Sequence, residues 1–416
     1  MTSPSSGAPD PGGPIRPWAA FLFRDFRLLW ATGLAVVMSR WMRILVTSTW
    51  LFEETGSAAQ LGLIGGVQLV VQIPALLWGG ALADKVNRKQ LIAGSNAISL
   101  AVLLTLGLLD GAGSLSVWHV YLAIAVTATT QVVAQPARSA LTPSVVPDRF
   151  VMLAVTTETA TQNAGSIIGP LIFAAVAKWA GLTEAFLVAA LTASPAVLLP
   201  LFVHAKGTVE DASEGSTVGR VWEGFRYVIR HPILPGLFLL DIGITIVSFY
   251  REILPVLAKG LFKGGAGAVG VLGAANSTGA VAGSFGALFF VSFRAKGMLV
   301  LYAALAYAVA LFFFSNVTTL WAGAATIGLI GAADAVTVAV RHTTVQLTTP
   351  DHMRGRAYAF LILAAQTANN VGTLWVGFWS AWIGARGTMT MGAVLAMVAT
   401  LIIWCAWRPI REYRYP

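Results

Sequence analysis

The chain has 416 residues, 56% of them hydrophobic and 11% charged, with a mean hydropathy of +0.74. Soluble domains are about 25% charged, so a water-soluble enzyme or binding module is excluded, and the length suits about a dozen spans of ~20 residues. The formal charge of +9 is explained by basic loops held on one side of a membrane, and no nucleic-acid partner is expected.

Residues 1–17 are rich in Pro, Gly and Ser and lack an apolar run. They read as a disordered tail, counted with its approach to the membrane as 1–25, and not as a cleaved signal peptide. Apolar runs then predict spans at about 26–51, 61–83, 91–109, 117–135, 152–179 and 183–203. These make a first six-helix bundle, 26–203. A polar stretch, 204–219, opens a linker that runs to residue 233. Within it, Val221, Trp222, Phe225, Val228 and Ile229 alternate with Arg220, Glu223, Arg226 and Arg230 at helical spacing. That pattern predicts a helix lying on the membrane surface. Six further spans are expected at about 234–257, 266–292, 298–315, 320–340, 357–383 and 388–407, a second bundle covering 234–407, with 408–416 as a tail.

An even number of spans puts both termini on one side. Only Lys178, Lys259, Lys263 and Arg386 among the loop cations fall on the other side. The side shared by the termini is therefore expected to be the cytoplasm, with the chain in the inner, plasma membrane. Cys405 is the one cysteine, so neither an intrachain disulfide nor a cysteine metal site can form. There is no phosphate-binding glycine loop and no nucleophile–base–acid set, so an enzyme is not expected, nor a cofactor or metal.

The loop after the second span reads Gly80-Ala81-Leu82-Ala83-Asp84-Lys85-Val86-Asn87-Arg88-Lys89. It resembles the signature loop of the major facilitator superfamily, with Asn87 where that family usually has Gly. Gly165-Ser166-Ile167-Ile168-Gly169-Pro170 resembles the G-x-x-x-G-P motif of its antiporting exporters, although close helix packing needs the same small residues. Gln135 to Pro143 and Thr349 to Arg356 look like loops of the branch that holds the enterobactin exporter and macrolide-efflux proteins. The resemblance covers about 26–407. It implies an all-α membrane fold of twelve helices in two pseudo-symmetric six-helix bundles. Spans 1, 4, 7 and 10 would line a central cavity. Gly80, Asp84, Lys85, Arg88, Lys89, Arg138, Gly165, Gly169, Pro170 and Arg356 would serve gating. Asp84 would latch near the start of span 11, around Arg356 to Tyr358.

Ionisable groups inside spans cost ~2.5 to 3.5 kcal/mol each on insertion scales, so each needs a reason. Arg40 and Arg43 share a face of span 1, and Arg251 lies at a similar depth in span 7. Gln131 joins Thr127 and Gln135 on a stripe of span 4. Arg40, Arg43, Gln131 and Arg251 are the expected substrate-binding set, for an anionic group. Asp241, Thr245, Ser248 and Glu252 follow helical spacing along span 7, and Asp334, Thr337 and Arg341 along span 10. Asp241 and Asp334 are the expected proton carriers, unless they simply pair with nearby arginines. Glu158 is a third, with pairing to Arg138 as its plainer reading.

The expectation is a monomeric secondary transporter that exports a small amphipathic, anionic, siderophore-like molecule by proton antiport. Its partners would be the bilayer, the substrate and protons. A multidrug or macrolide pump and a proton-coupled importer are the alternatives in the same class. A membrane enzyme or scaffold is the alternative outside it.

Overall fold

Apolar runs of this length leave backbone amides without water, so each must close its hydrogen bonds within its own segment. The computed structural model describes residues 18–83, 86–204, 217–290 and 292–414. Among these residues there are helices and no strands. The first half holds α1 (Arg24–Thr55), α2 (Ala58–Ala83), α3 (Arg88–Gly111), α4 (Val117–Leu141), α5 (Asp148–Trp179) and α6 (Leu182–Leu198). Then come α7 (Thr217–Arg230), α8 (Leu234–Ser248), α9 (Leu254–Phe262), α10 (Ala266–Phe289), α11 (Lys296–Asn316), α12 (Leu320–Thr348), α13 (Asp351–Ala406) and the short α14 (Arg408–Glu412).

Nine of the described helices are long and apolar enough to cross a membrane. α13 carries two of the twelve crossings, because Gly384 at φ 75° breaks its ladder. Only a residue without Cβ takes that backbone cheaply. α8 and α9 together make another crossing. The glycine-rich α10, 24 residues long, makes the twelfth. α7 is bent by 107° from the 234–262 segment, so it runs across the end of the bundle.

The seventh span is not the continuous helix that its sequence suggested. α8 stops at Ser248, Phe249 is extended, and Arg251–Ile253 form a 3-10 turn before α9 restarts with Pro255 in its first turn. Pro255 has no N–H to give to the Arg251 carbonyl four residues back, so the ladder is interrupted where the 3-10 turn meets α9. The break takes Glu252 off the stripe read at helical spacing, while Asp241, Thr245 and Ser248 stay on α8. Asp241 and Thr245 face a central cleft. Ser248 turns into the bundle, where it bonds to Tyr307 Oη at 2.9 Å.

Exposed tryptophans ring the end away from the termini: Trp118 opens α4, Trp179 closes α5, Trp321 opens α12 and Trp382 precedes the Gly384 break. This is the amphipathic belt expected at a membrane–water boundary. At this far end the two halves touch closely. A Cβ on Gly377 would lie 2.3 Å from Cα of Gly62, so α2 and α13 cross backbone to backbone. A Cβ on Gly270 would lie 2.5 Å from the Pro170 carbonyl oxygen and from Ala174 Cβ, so α5 and α10 do the same. At the end that carries the termini they part. Met152 lies eighteen residues before Pro170, and Leu288 eighteen after Gly270, which is five full turns in each case. Both therefore point along the contacting faces, yet they are 83% and 63% exposed. The cleft is closed at the far end and open at the basic end.

Asp84 and Lys85 lie outside the described residues, as do the tail 1–17 and the centre of the linker, and with Asp84 goes its expected contact near Arg356.

Candidate functional site

Two chambers meet between the halves. One, the arginine chamber, is lined by Arg40, Arg43, Gln131, Arg251 and Glu252 together with a group of amides. The other is lined by Trp41, Arg251, Asp241, Asp334, Tyr307 and Arg341. Each encloses about 170 Å³. Phe249, Arg251 and Asn369 line both. The break in the seventh span thus sits at their junction, where unwound backbone faces water instead of lipid.

The structure brings all four expected substrate residues to one chamber. Arg40 is exposed within it. Arg43 is buried and donates to Thr127 Oγ1 at 2.8 Å, and Thr127 passes its own hydrogen to the Ala123 carbonyl at 2.7 Å. Arg251 neither pairs with its neighbour Glu252 nor reaches for the surface. Its guanidinium lies 5.0 Å from the Trp41 ring centre and 5.2 Å from that of Phe249. The Trp41 contact joins the halves, and aromatic faces stabilise such a cation without cancelling its charge. None of these three arginines has a carboxylate within ion-pair distance among the described residues. Glu252 is buried and accepts from Thr373 Oγ1 at 3.2 Å.

The expected proton residues separate. Asp241 forms an ion pair with Arg341, tying α8 to α12. Asp334 is exposed to the cleft and forms no ion pair among the described residues. Glu158 pairs with Arg138 at 3.3 Å and accepts from Thr142 Oγ1 at 2.7 Å, away from both chambers. Removing one partner of a part-buried pair leaves the other charge stranded, which costs about 3 kcal/mol. Asp241→Asn is therefore expected to lower the melting temperature of the purified protein more than the double change Asp241→Asn/Arg341→Gln. A larger drop for the double variant would show that the two residues act separately.

The expected gating residues also separate. Gly165 and Gly169 bring α5 onto α1: added Cβ atoms would meet Val37 at 2.9 Å and the Met38 carbonyl oxygen at 2.9 Å. Pro170 faces α10 of the other half. Gly80 lies in α2, and Arg88 and Lys89 open α3, where Lys89 Nζ donates to the Val203 carbonyl at 2.8 Å. Arg356 pairs with Glu223 of α7 at 2.6 Å.

Sequence reasoning found Gln131 and Gln135 but passed over the amides of α2 and α13. Gln68 and Gln72 on α2 and Gln366, Asn369 and Asn370 on α13 line the arginine chamber. Asn370 donates to Gln72 Oε1 at 2.9 Å, a hydrogen bond between the halves. Their i, i+3 and i+4 spacings inside apolar runs were visible, but the cavity was expected from spans 1, 4, 7 and 10 and not from the second and eleventh.

A twelve-span protein whose halves enclose a charged midplane cleft, closed at one end and open at the other, is a transporter of the alternating-access class. Within that class, the chain belongs to the Major Facilitator Superfamily, whose family model matches residues 29–358. It is similar to the enterobactin exporter EntS of Salmonella choleraesuis, 24% identical over 95% of this chain and 93% of that one. Against the EntS of Shigella boydii it is 26% identical over 92% of this chain and 89% of that one. Among solved structures, the nucleoside transporter NupG superposes with a TM-score of 0.80 at 11% identity, over 92% of this chain and all of that one. A bacterial homologue of the human lysosomal transporter Spinster, in an inward-facing and unoccupied conformation, gives 0.67 at 16% identity over 94% and 98%. Identities this low carry the fold and not the cargo.

Proposed function

We propose that this protein exports a small amphipathic organic anion across the plasma membrane in exchange for protons. The observation that carries this reading is charge. Arg40, Arg43 and Arg251 line one chamber with Glu252 as its single carboxylate. Clustered guanidinium groups repel one another unless an anion sits among them, and their fork geometry suits a carboxylate, phosphate or similar group. The amides and Trp41 beside them suit the polar and apolar parts of a larger molecule. The basic end, with both termini, is assigned to the cytoplasm from its loop cations. The cleft then faces inward, ready to load cargo for export, and residues 26–203 and 234–407 are the two bodies that rock. The exporter named among the relatives supports this direction, and a siderophore-like anion fits both that likeness and the charge.

The test is a binding titration of a candidate organic acid and its neutral ester, chosen by thermal stabilisation of the purified protein. The acid should bind at least tenfold more tightly than the ester. Arg40→Lys keeps the charge but loses the fork, so it should weaken the acid severalfold, and Arg40→Ala should weaken it further. The ester should lose little with either variant. Equal binding of acid and ester would remove the anion from the reading. Direction is checked in cells: without the protein an exporter's cargo accumulates, and an importer's falls.

A further inference from the structure

α7 lies across the basic end and is fixed to the start of α13 and the end of α12. Glu223 pairs with Arg356 at 2.6 Å, and Tyr227 Oη donates to the Thr348 carbonyl at 2.9 Å. Gly224 is packed so tightly on the Arg356 carbonyl that a Cβ there would come within 2.2 Å. This fixes which faces of α7 remain open. Arg226 and Arg230, one turn apart, are exposed and have no carboxylate within 4 Å among the described residues. Beside them on the helix surface, Trp222 and Ile229 are 56% and 52% exposed. A cationic edge next to an apolar edge is the arrangement of a helix seated where headgroups meet acyl chains.

The cationic edge also borders a pocket of about 440 Å³ shared by Arg226, Arg230, His231 and Arg356, with Glu223 as its one carboxylate. The net charge of the four ionised groups is positive by two. His231 Nδ1 accepts from the backbone N–H groups of Ile233 at 3.2 Å and Leu234 at 3.4 Å. Its Nε2 is then the donor. Burial holds the His231 imidazole below its ordinary pKa, so it stays neutral in this role.

We propose that α7 and Arg356 form a binding site for the phosphate headgroup of an anionic phospholipid, with Trp222 and Ile229 against its acyl chains. Two guanidinium groups one turn apart reach one phosphodiester, and the neutral His231 supplies a further donor. A free anion would use the arginines but would have no use for Trp222 and Ile229, which is why a lipid is favoured. The site adjoins the α7–α13 clamp, so an occupied site would hold the basic end of the second half in place.

The experiment titrates dioctanoyl phosphatidylglycerol, dioctanoyl phosphatidylcholine and inorganic phosphate onto the purified full-length protein. Bound lipid is counted by native mass spectrometry. Each arginine near an anionic headgroup contributes about fivefold in affinity. Phosphatidylglycerol should bind at least tenfold more tightly than phosphatidylcholine, and Arg226→Gln/Arg230→Gln should lose at least tenfold of that. Trp222→Ala should weaken the lipid and leave any binding of phosphate unchanged. Arg294→Gln, at an exposed arginine elsewhere on the basic end, should change nothing. Equal binding of the two lipids, or a double variant within twofold of wild type, would overturn the proposal. So would displacement of the lipid by inorganic phosphate at equal concentration, which would mark a simple anion pocket.

Discussion

Asp334→Asn is expected to reduce uphill, pH-gradient-driven export in proteoliposomes at least tenfold while substrate binding stays within about twofold. Of the three carboxylates expected to serve protons, Glu158 is held by Arg138 away from both chambers, and Asp241 is held by Arg341. To take up a proton either would first have to give up its pair. Asp334 opens to the cleft without an ion pair among the described residues, and Arg251 lines the same chamber. Asp334 can therefore take up and release a proton without first breaking a pair, as a proton carrier in the membrane must. Asp241→Asn, by contrast, should reduce stability first. Undiminished uphill export by Asp334→Asn would end the assignment and pass the role to Asp241 or Glu252, the other carboxylates that line the cleft.

The second large effect is expected where the halves meet. Gly377→Leu and Gly270→Leu place a side chain where even a Cβ would lie 2.3 Å and 2.5 Å from atoms of the other half. Backbone stands on the far side of each contact, so the halves must separate there. The far end should be wedged open and turnover should fall more than tenfold. The check is Gln366→Cys, at a residue that lines the arginine chamber, in a background with Cys405→Ser. A membrane-impermeant maleimide added from the far side should label it more than tenfold faster in the wedged variants. Gly286→Leu is the control, since a Cβ there meets open space. Equal labelling in all three would mean that the glycine contacts do not form the closure.

Much of this was legible in the chain because a bilayer reduces folding to a few rules. Apolar length gave the spans, including α10 despite its glycines, and loop cations separated the two ends. Arg40, Arg43, Gln131 and Arg251 were found because a charge or amide in a span has to be explained, and they do line one chamber. What misled was the assumption that helical spacing continues through a span. The seventh span breaks after Ser248, which takes Glu252 off the stripe and into a 3-10 turn; Asp241 and Ser248 stay on α8, where only tertiary contacts give Asp241 to Arg341 and Ser248 to Tyr307. Glu158 met Arg138, the plainer of its two readings. The amides of α2 and α13 were passed over because those spans were not expected to line the cavity; only their convergence makes them a site.

The sequence by itself determined the solvent, the number of crossings and the basic end, since these depend on hydropathy and charge summed along the chain. The tertiary structure alone decided which charges are paired and which are free, and which end of the cleft is closed. Those depend on distances between α1, α8 and α12, or between glycines more than two hundred residues apart. No local pattern encodes them, because the same helices can rock into either arrangement while keeping their own hydrogen bonds.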